Sequence, residues 1–385
     1  MSIDHIPTEI LLFFVFYGVT GVVPLMAAIY LLLRRSNAIA PGVTPPLQLR
    51  RWTAAFFAVV TLAHVWWLLF YILSGDLNSV AFLVLAMGDY VLLFVTFAGM
   101  LLVMLQDRQR PVWATLVAVI PFVVLVVVYM VNPNNLLLQF AAGYLVLLGL
   151  LFTGYMVFAI RQYGRWLNDN YADLENKKVW LSQTVSLVCM LMFVLYVLAT
   201  DMVFIWFIHV FELVLVVLLL WRVEMLPQLD SISTEEAEEV SSESASVTTQ
   251  VQQGSVNPAN IDLAQIERLL AERCVARQLY LQHDLTLQQL ARTIGTNRSY
   301  LSQYFSRQGI TYNTYINNLR INHFISRYQE VASTQQPFTV QQLANESGYR
   351  SYSTFSLAFK QRTGQSVTAW MRDANSDVEF PLIGV

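Results

Sequence analysis

The run Asp284-Leu-Thr-Leu-Gln-Gln-Leu-Ala-Arg-Thr-Ile-Gly295-Thr-Asn297-Arg-Ser-Tyr-Leu-Ser-Gln-Tyr-Phe305 decides how the C-terminal part of the chain is read. Leu287, Leu290, Ala291 and Ile294 recur at the spacing that puts side chains on one helix face. Gly295 breaks that pattern, and Asn297 is a residue type that caps a new helix. Leu301, Tyr304 and Phe305 then restore an apolar stripe. The spacing predicts two short helices joined by a glycine turn, a helix-turn-helix, whose second helix can enter a DNA major groove.

Working outward, the pattern recurs 53 residues later, where Leu343-Ala344 matches Leu290-Ala291 and Gly348 matches Gly295. The second copy reads Phe338-Thr-Val-Gln-Gln-Leu-Ala-Asn-Glu-Ser-Gly348-Tyr-Arg-Ser351-Tyr-Ser-Thr-Phe-Ser-Leu-Ala-Phe359-Lys-Gln-Arg-Thr-Gly364, with Phe359 in the place of Phe305 to within one residue. Between the copies, Tyr312–Tyr328 reads as one long connecting helix. Ahead of them, Leu263, Ile266, Leu269 and Leu270 form an apolar stripe opposite Arg268, Glu272 and Arg273. Leu301, Phe305, Phe355 and Phe359 are expected in the core, and His283 and His323 on the surface or in helix packing.

With these motifs in place, residues 262–372 resemble the DNA-binding domain of AraC/XylS-type transcription regulators. The shared stretches are Leu-Thr-Leu-Gln-Gln-Leu-Ala, Arg-Ser-Tyr-Leu-Ser, Tyr-Ile-Asn-Asn-Leu-Arg-Ile and Gly-Tyr-Arg-Ser-Tyr-Ser-Thr-Phe-Ser. The resemblance implies two helix-turn-helix units on a linker helix, reading successive major grooves of double-stranded DNA. It departs from the family at Val367, where a proline is usual, and at Gln303 and Leu357, where arginine is frequent. The turn after the first reading helix, Arg307-Gln-Gly-Ile310, is one residue short. Carried across, the first reading helix would expose Arg298, Ser299, Ser302 and Gln303. The second would expose Tyr352, Ser353 and Thr354, with Arg350 at its start. Arginine and glutamine can make paired hydrogen bonds to base edges. Arg307, Lys360 and Arg362 are placed for phosphates, which supply salt-dependent affinity without sequence readout.

Charge divides the rest of the chain. Of 385 residues 56% are hydrophobic and 13% charged, against about 25% charged in soluble domains. Residues 259–372 hold 12 Lys/Arg against 6 Asp/Glu, a net of +6. Residues 227–258 hold 6 acids and no base, with no aromatic residue. Such a segment buries too little to order itself and reads as a flexible spacer. Exposed linkers of this kind are also preferred cleavage sites, so proteolytic release of the basic domain is an option.

Residues 1–226 hold only 22 charges, set between seven apolar runs: Ile10–Leu33, Thr53–Leu73, Val80–Leu105, Val112–Val131, Leu136–Ile160, Val179–Leu198 and Met202–Trp221. About 20 apolar residues suffice to cross a bilayer. The first run lacks the basic start of a cleavable signal and reads as an anchor. Eleven Lys/Arg lie in the loops on one side and none on the other, which puts the N-terminus outside and the C-terminus in the cytoplasm. Glu224, Asp107 and the mixed loop Arg161–Lys178 read as solvated cytoplasmic charges.

Four ionisable residues within the runs stand out, His64, Asp89, His209 and Glu212. They lie 9, 9, 7 and 10 residues from their outer helix ends, or about 10–15 Å at 1.5 Å per residue. Charges at such depth need a reason. One reading is a hydrogen-bonded cluster that fixes helix packing; another is a pocket for a small signal molecule or a proton. A third is a metal-dependent hydrolase resembling seven-helix membrane ceramidases. Against it, Val60 stands where that family has serine, and the seventh run reads His209-Val-Phe-Glu212 in place of two histidines.

The expected fold is therefore all-α. It comprises a seven-transmembrane-helix bundle (1–226), a disordered acidic linker (227–259), a double helix-turn-helix domain (260–375) and a short tail (376–385). The expected function is a membrane-anchored one-component transcription regulator in a bacterial inner (cytoplasmic) membrane, and not an enzyme. No phosphate-binding glycine loop, Gly-x-Ser-x-Gly or His-Glu-x-x-His occurs. Cys189 and Cys274 offer neither a bridge nor a metal set, and no cofactor or metal is expected. Partners would be double-stranded DNA, the lipid bilayer, RNA polymerase, a second copy in a homodimer and a small-molecule or envelope signal. The alternative keeps the DNA-binding domain beside a membrane-embedded metal-dependent hydrolase.

Overall fold

The computed structural model describes residues 8–73, 80–174, 177–188, 202–229, 263–334 and 337–376. Among these the one extended pairing is an isolated antiparallel bridge between Tyr171 and Thr286. The chain divides into two compact units: Met1–Tyr163 with Asn176–Ala245, and Gly164–Glu175 with Ser246–Val385. Most of the linker, and Cys189, lie outside the described residues.

The first unit consists of α1 (Thr8–Leu33), α2 (Leu47–Leu73), α3 (Val80–Met104), α4 (Trp113–Val131), most of α5 (Asn135–Asn170) and α6 (Met202–Met225), with a further helical stretch at 180–188. Five helices, α1 to α5, are long and apolar enough to cross a membrane. The sixth apolar run is described only over 180–188, and the seventh coincides with α6. Leu11, Val15, Val19, Val22 and Met26 of α1 are exposed, as are Leu116, Ile120, Val124 and Val127 of α4. Apolar faces this continuous suit a lipid surround and not water.

Close helix approach is secured by small residues. A Cβ at Gly99 of α3 would stand 2.5 Å from the Trp52 ring of α2, so only hydrogen fits. At the ends of the helices, charges expected to be solvated are buried instead. The Glu224 side chain is fully buried and paired with Arg34 Nη1 at 2.5 Å, while Asn37 Nδ2 donates to the Glu224 carbonyl at 2.8 Å. Asp107 takes both terminal nitrogens of Arg110 at 2.5 and 2.9 Å. Over the stretch expected to be a mixed loop, Arg161 and Arg165 are exposed on α5, but Asp173 and Lys177 beyond it are buried. The reason is physical: buried charges persist where each finds a partner. Arg34 lies 190 residues from Glu224, out of reach of any local pattern.

In the second unit α7 (Leu263–Leu269) runs into one turn of π-helix (Leu270–Val275) and a 3-10 turn (Leu279–Leu281). There follow α8 (Leu287–Ile294), α9 (Arg298–Arg307), α10 (Tyr312–Thr334), α11 (Val340–Glu346), α12 (Tyr352–Thr363) and α13 (Val367–Ser376). Each helix-turn-helix begins on a side-chain cap. Thr286 and Gln289 form a reciprocal capping box, and Asn297, Thr339 and Ser351 accept from the backbone of Tyr300, Gln342 and Thr354. Such caps contribute about 1 kcal/mol each.

Two apolar cores result. Leu287, Leu290, Ile294, Leu301, Phe305, Tyr312 and Ile316 build the first; Phe324, Tyr328, Leu343, Tyr349, Phe355 and Phe359 build the second. All four expected core residues are buried, and Val367, in the place of the usual proline, packs into the second core. Helix α10 serves both cores through one stripe at i, i+4 spacing: Tyr312, Ile316, Arg320, Phe324 and Tyr328, all buried. Burying the apolar side chains of that stripe is worth about 1.5–3 kcal/mol each, whereas Arg320 must be paired to be tolerated there.

Candidate nucleic-acid interface and a membrane-helix cluster

The two reading helices present different faces. On α9, Ser299, Ser302, Gln303 and Arg307 are exposed. Arg298, the first residue of that helix, is partly buried. Its Nε and Nη2 both donate to Asn170 Oδ1, at 3.0 and 2.8 Å. Asn170 is oriented for this because its own Nδ2 donates to the Trp166 carbonyl at 2.7 Å. On α12, Tyr352 and Ser353 are exposed and Thr354 is half-buried beside Ser351. Lys360 and Arg362, in the last turn, are exposed. Leu357, in a frequent arginine position, is exposed as well. Arg350 precedes α12 and is paired with Asp284 at 2.5 Å.

Asn170 belongs to the stretch Gly164–Glu175, which forms part of the second unit. Ala172 is buried in the first core, and its amide donates to the Leu285 carbonyl at 3.3 Å. Asn313 of α10 donates to the carbonyls of Tyr171 and Ala172 at 3.1 and 2.7 Å. The first helix-turn-helix is thus built from two pieces of chain, and the upstream piece holds Arg298.

The two helix-turn-helix units are joined by a latch that the sequence reading missed. Arg320 is almost fully buried at the junction of the cores. Its Nε donates to the Tyr280 carbonyl and its Nη2 to the Gln282 carbonyl, both at 2.6 Å. The guanidinium also lies 5.5 Å from the Tyr349 ring centre, an attractive cation–π placement. Burial lowers its pKa, as expected for a desolvated cation, opposed by nearby Tyr349. His283 Nδ1 donates to the Gly348 carbonyl at 3.0 Å. Gly348 itself has φ +89° and no space for a Cβ, which would meet the Leu281 carbonyl at 2.9 Å. The available signal was a polar residue inside an apolar stripe, Arg320 within Ile316-Asn-Asn-Leu-Arg-Ile321. Cys274 is buried in the first core, which pushes its thiol up to about 11.

Of the four ionisable residues singled out in the apolar runs, three come together. His64 of α2 and His209 and Glu212 of α6 have ligand atoms within 4.8 Å of one another. Glu212 Oε2 lies 3.4 Å from His209 Nδ1 and 3.7 Å from His64 Nε2. His64 Nδ1 donates to the Val60 carbonyl at 2.9 Å. From α1, Thr20 Oγ1 stands 3.0 Å from His64 Nε2, and Tyr17 Oη donates to the His64 carbonyl at 2.9 Å. Gly21 of α1 faces the same imidazole, where a Cβ would stand 3.2 Å away. Asp89 of α3 is not in this group; Trp67 of α2 hydrogen-bonds its carboxylate.

A family model described as a helix-turn-helix domain matches residues 290–373, from α8 into α13. The C-terminal region is therefore a helix-turn-helix DNA-binding domain. That domain is of the AraC type, and the match does not extend to α1–α6. No curated protein and no solved structure matches the chain.

Proposed function

We propose that the chain is a membrane-anchored one-component regulator, multi-pass in a bacterial inner membrane with the AraC-type domain in the cytoplasm. It binds promoter DNA sequence-specifically and answers a signal received by the apolar helices. Both helix-turn-helix units read DNA, through Arg298, Ser299, Ser302 and Gln303 in the first and Arg350, Tyr352, Ser353 and Thr354 in the second. Arg307, Lys360 and Arg362 hold phosphates. Contact with RNA polymerase and pairing with a second copy would turn occupancy into transcriptional output.

One observation carries the reading. Asn170 is the last residue of α5, one of the helices long and apolar enough to cross a membrane, and it hydrogen-bonds the first residue of a reading helix. A displacement of the end of α5 changes the environment of Arg298 directly, without passing through the acidic linker. The membrane placement rests on long apolar helices with exposed apolar faces, and the orientation on the one-sided Lys/Arg distribution.

The test is genome-wide crosslinking of tagged full-length protein, with membrane fractionation of the same cells. Wild-type protein is expected in the membrane fraction with discrete DNA peaks, lost in an Arg298→Ala/Arg350→Ala double variant. Peaks that survive in that variant would defeat the assignment of the reading residues. Protein in the soluble fraction would defeat the membrane anchoring.

A further inference from the structure

The cluster on α1, α2 and α6 lies outside the helix-turn-helix domain, and its polar groups converge from three helices. We propose that His64, His209 and Glu212 bind a divalent transition-metal ion of the zinc class, and that this ion is a signal the membrane helices receive. The second clause rests on the regulator reading above; the first does not.

The ligand set comes first. Two imidazole nitrogens and one carboxylate oxygen are a borderline-soft set that suits zinc and its neighbours and leaves a fourth position open. Calcium and magnesium prefer all-oxygen surroundings.

Spacing comes second. Charge-assisted N–H···O bonds settle at about 2.7–2.9 Å, whereas the separations here are 3.4 Å and 3.7 Å. Two ligands held about 2.0–2.1 Å from one tetrahedral ion are about 3.3 Å apart. Both separations from Glu212 are therefore long for hydrogen bonds and close to the separation that a shared ion imposes, and all three ligand atoms lie within 4.8 Å of one another.

The supporting contacts point the same way. A carbonyl can only accept, so the bond from His64 Nδ1 to Val60 uses that nitrogen as a donor and turns Nε2, the other ring nitrogen, toward the cluster. Fixing one ring nitrogen on a backbone carbonyl is how metal-ligating histidines are oriented. Thr20 Oγ1 lies 2.8 Å from the Tyr17 carbonyl and 3.0 Å from His64 Nε2, within hydrogen-bond distance of both, and so helps to hold the ring. Glu212 Oε1 is buried and has no hydrogen-bond partner among the described residues. The Tyr17, His64 and His209 rings pack at 4.8–5.3 Å between centres and fix the arrangement laterally. The side chains of His64, His209 and Glu212 retain 9%, 12% and 17% exposure, so the site is not sealed.

The test uses full-length protein in lipid nanodiscs, stripped with a chelator and titrated with zinc chloride in the absence of DNA. One zinc per chain is expected. His64→Ala, His209→Ala and Glu212→Gln should each weaken binding about 100-fold or more, since losing even a supporting contact costs about 10–100-fold. Asp89→Asn, on a neighbouring helix but outside the cluster, should bind as wild type. Cobalt substituted for zinc should give the intense visible bands of a four-coordinate site, absent in the three variants. Equal zinc binding by wild type and all three variants would overturn the site, as would no binding by correctly folded wild type. The latter result would leave a proton shared by His64 and Glu212 as the explanation of the geometry. DNA crosslinking that is unchanged by zinc, with binding intact, would overturn the signalling role and leave the DNA-binding reading standing.

Discussion

The two helix-turn-helix units are near-copies in sequence but are wired differently. In the first, the reading helix α9 opens on an arginine held by Asn170, and the core under it is completed by Ala172. In the second, Arg350 ahead of α12 is paired with Asp284, and Tyr352, Ser353, Lys360 and Arg362 face outward. A duplicated motif has thus been put to two uses, one copy linked to the end of α5 and the other left open. The shared helix α10 and the Arg320 latch join the two units, so a change at the first copy bears on the second.

The sharpest way to break this comparison is to cut the latch. Arg320→Ala removes two hydrogen bonds from a charged donor, each worth about 1.5–3 kcal/mol. Loss of at least about 3 kcal/mol is expected, read as faster amide exchange over 263–376 in the full chain, together with loss of specific DNA binding. If the two units are independent, DNA binding should instead weaken only modestly.

Next in size are the turn glycines. Gly295 and Gly348 both have positive φ, +84° and +89°, so alanine at either costs about 1–2 kcal/mol in backbone strain. At Gly295 the nearest atom to a new Cβ is the mobile end of Arg273, but at Gly348 it is the backbone carbonyl of Leu281. Gly348→Ala is therefore expected to be the more destabilising, by about 1 kcal/mol or more, in thermal unfolding of the full chain.

The difference between the reading helices can be tuned more gently. Asn170→Ala frees Arg298 at the expense of hydrogen bonds worth about 1 kcal/mol. DNA affinity of the full-length protein should rise about five-fold, and that gain should vanish when Arg298→Ala is added. A gain that persists in the double variant would mean Asn170 acts elsewhere. Lys360→Ala and Arg362→Ala should weaken binding to all sequences alike and each lower the salt slope by about 1. The smallest effect concerns Cys274. Its thiol, pushed up to about 11 by burial, stays protonated at pH 8. Alkylation there should require unfolding.

What could be read from sequence followed from locality. Helix-turn-helix periodicity, the Asn297 cap and the four core aromatic and leucine positions depend on neighbours three or four residues away, and the structure carries them all. Long apolar runs are equally local, and α1 to α5 follow them. Helix α5 differs, continuing from the expected end at Ile160 through ten more residues to Asn170. Asp107 with Arg110, three residues on, is a local miss; the others are partnerships at long range. Arg298 and Asn170 are 128 residues apart, Arg34 and Glu224 190. Polarity identified His64, His209 and Glu212 as unusual, but only the packing of α1 and α2 with α6 determines which of them meet. Asp89 had the same signature and went to Trp67.

Ala172 has a consequence for how such a protein can be assembled and taken apart. The DNA-binding unit is completed by a strip of chain that lies before the linker, so it behaves like a split protein whose fragments complement each other. A protease cutting anywhere in 230–262 would sever the covalent connection but leave Gly164–Glu175 inserted and Arg298 still held. A recombination event that transplanted only residues 260–385 onto another sensor would deliver a reader with a hole in its first core and an arginine without its usual occupant. Exchange of such readers between sensors would have to carry the strip along or refill the gap, which makes this domain less portable than its self-contained sequence motif suggests.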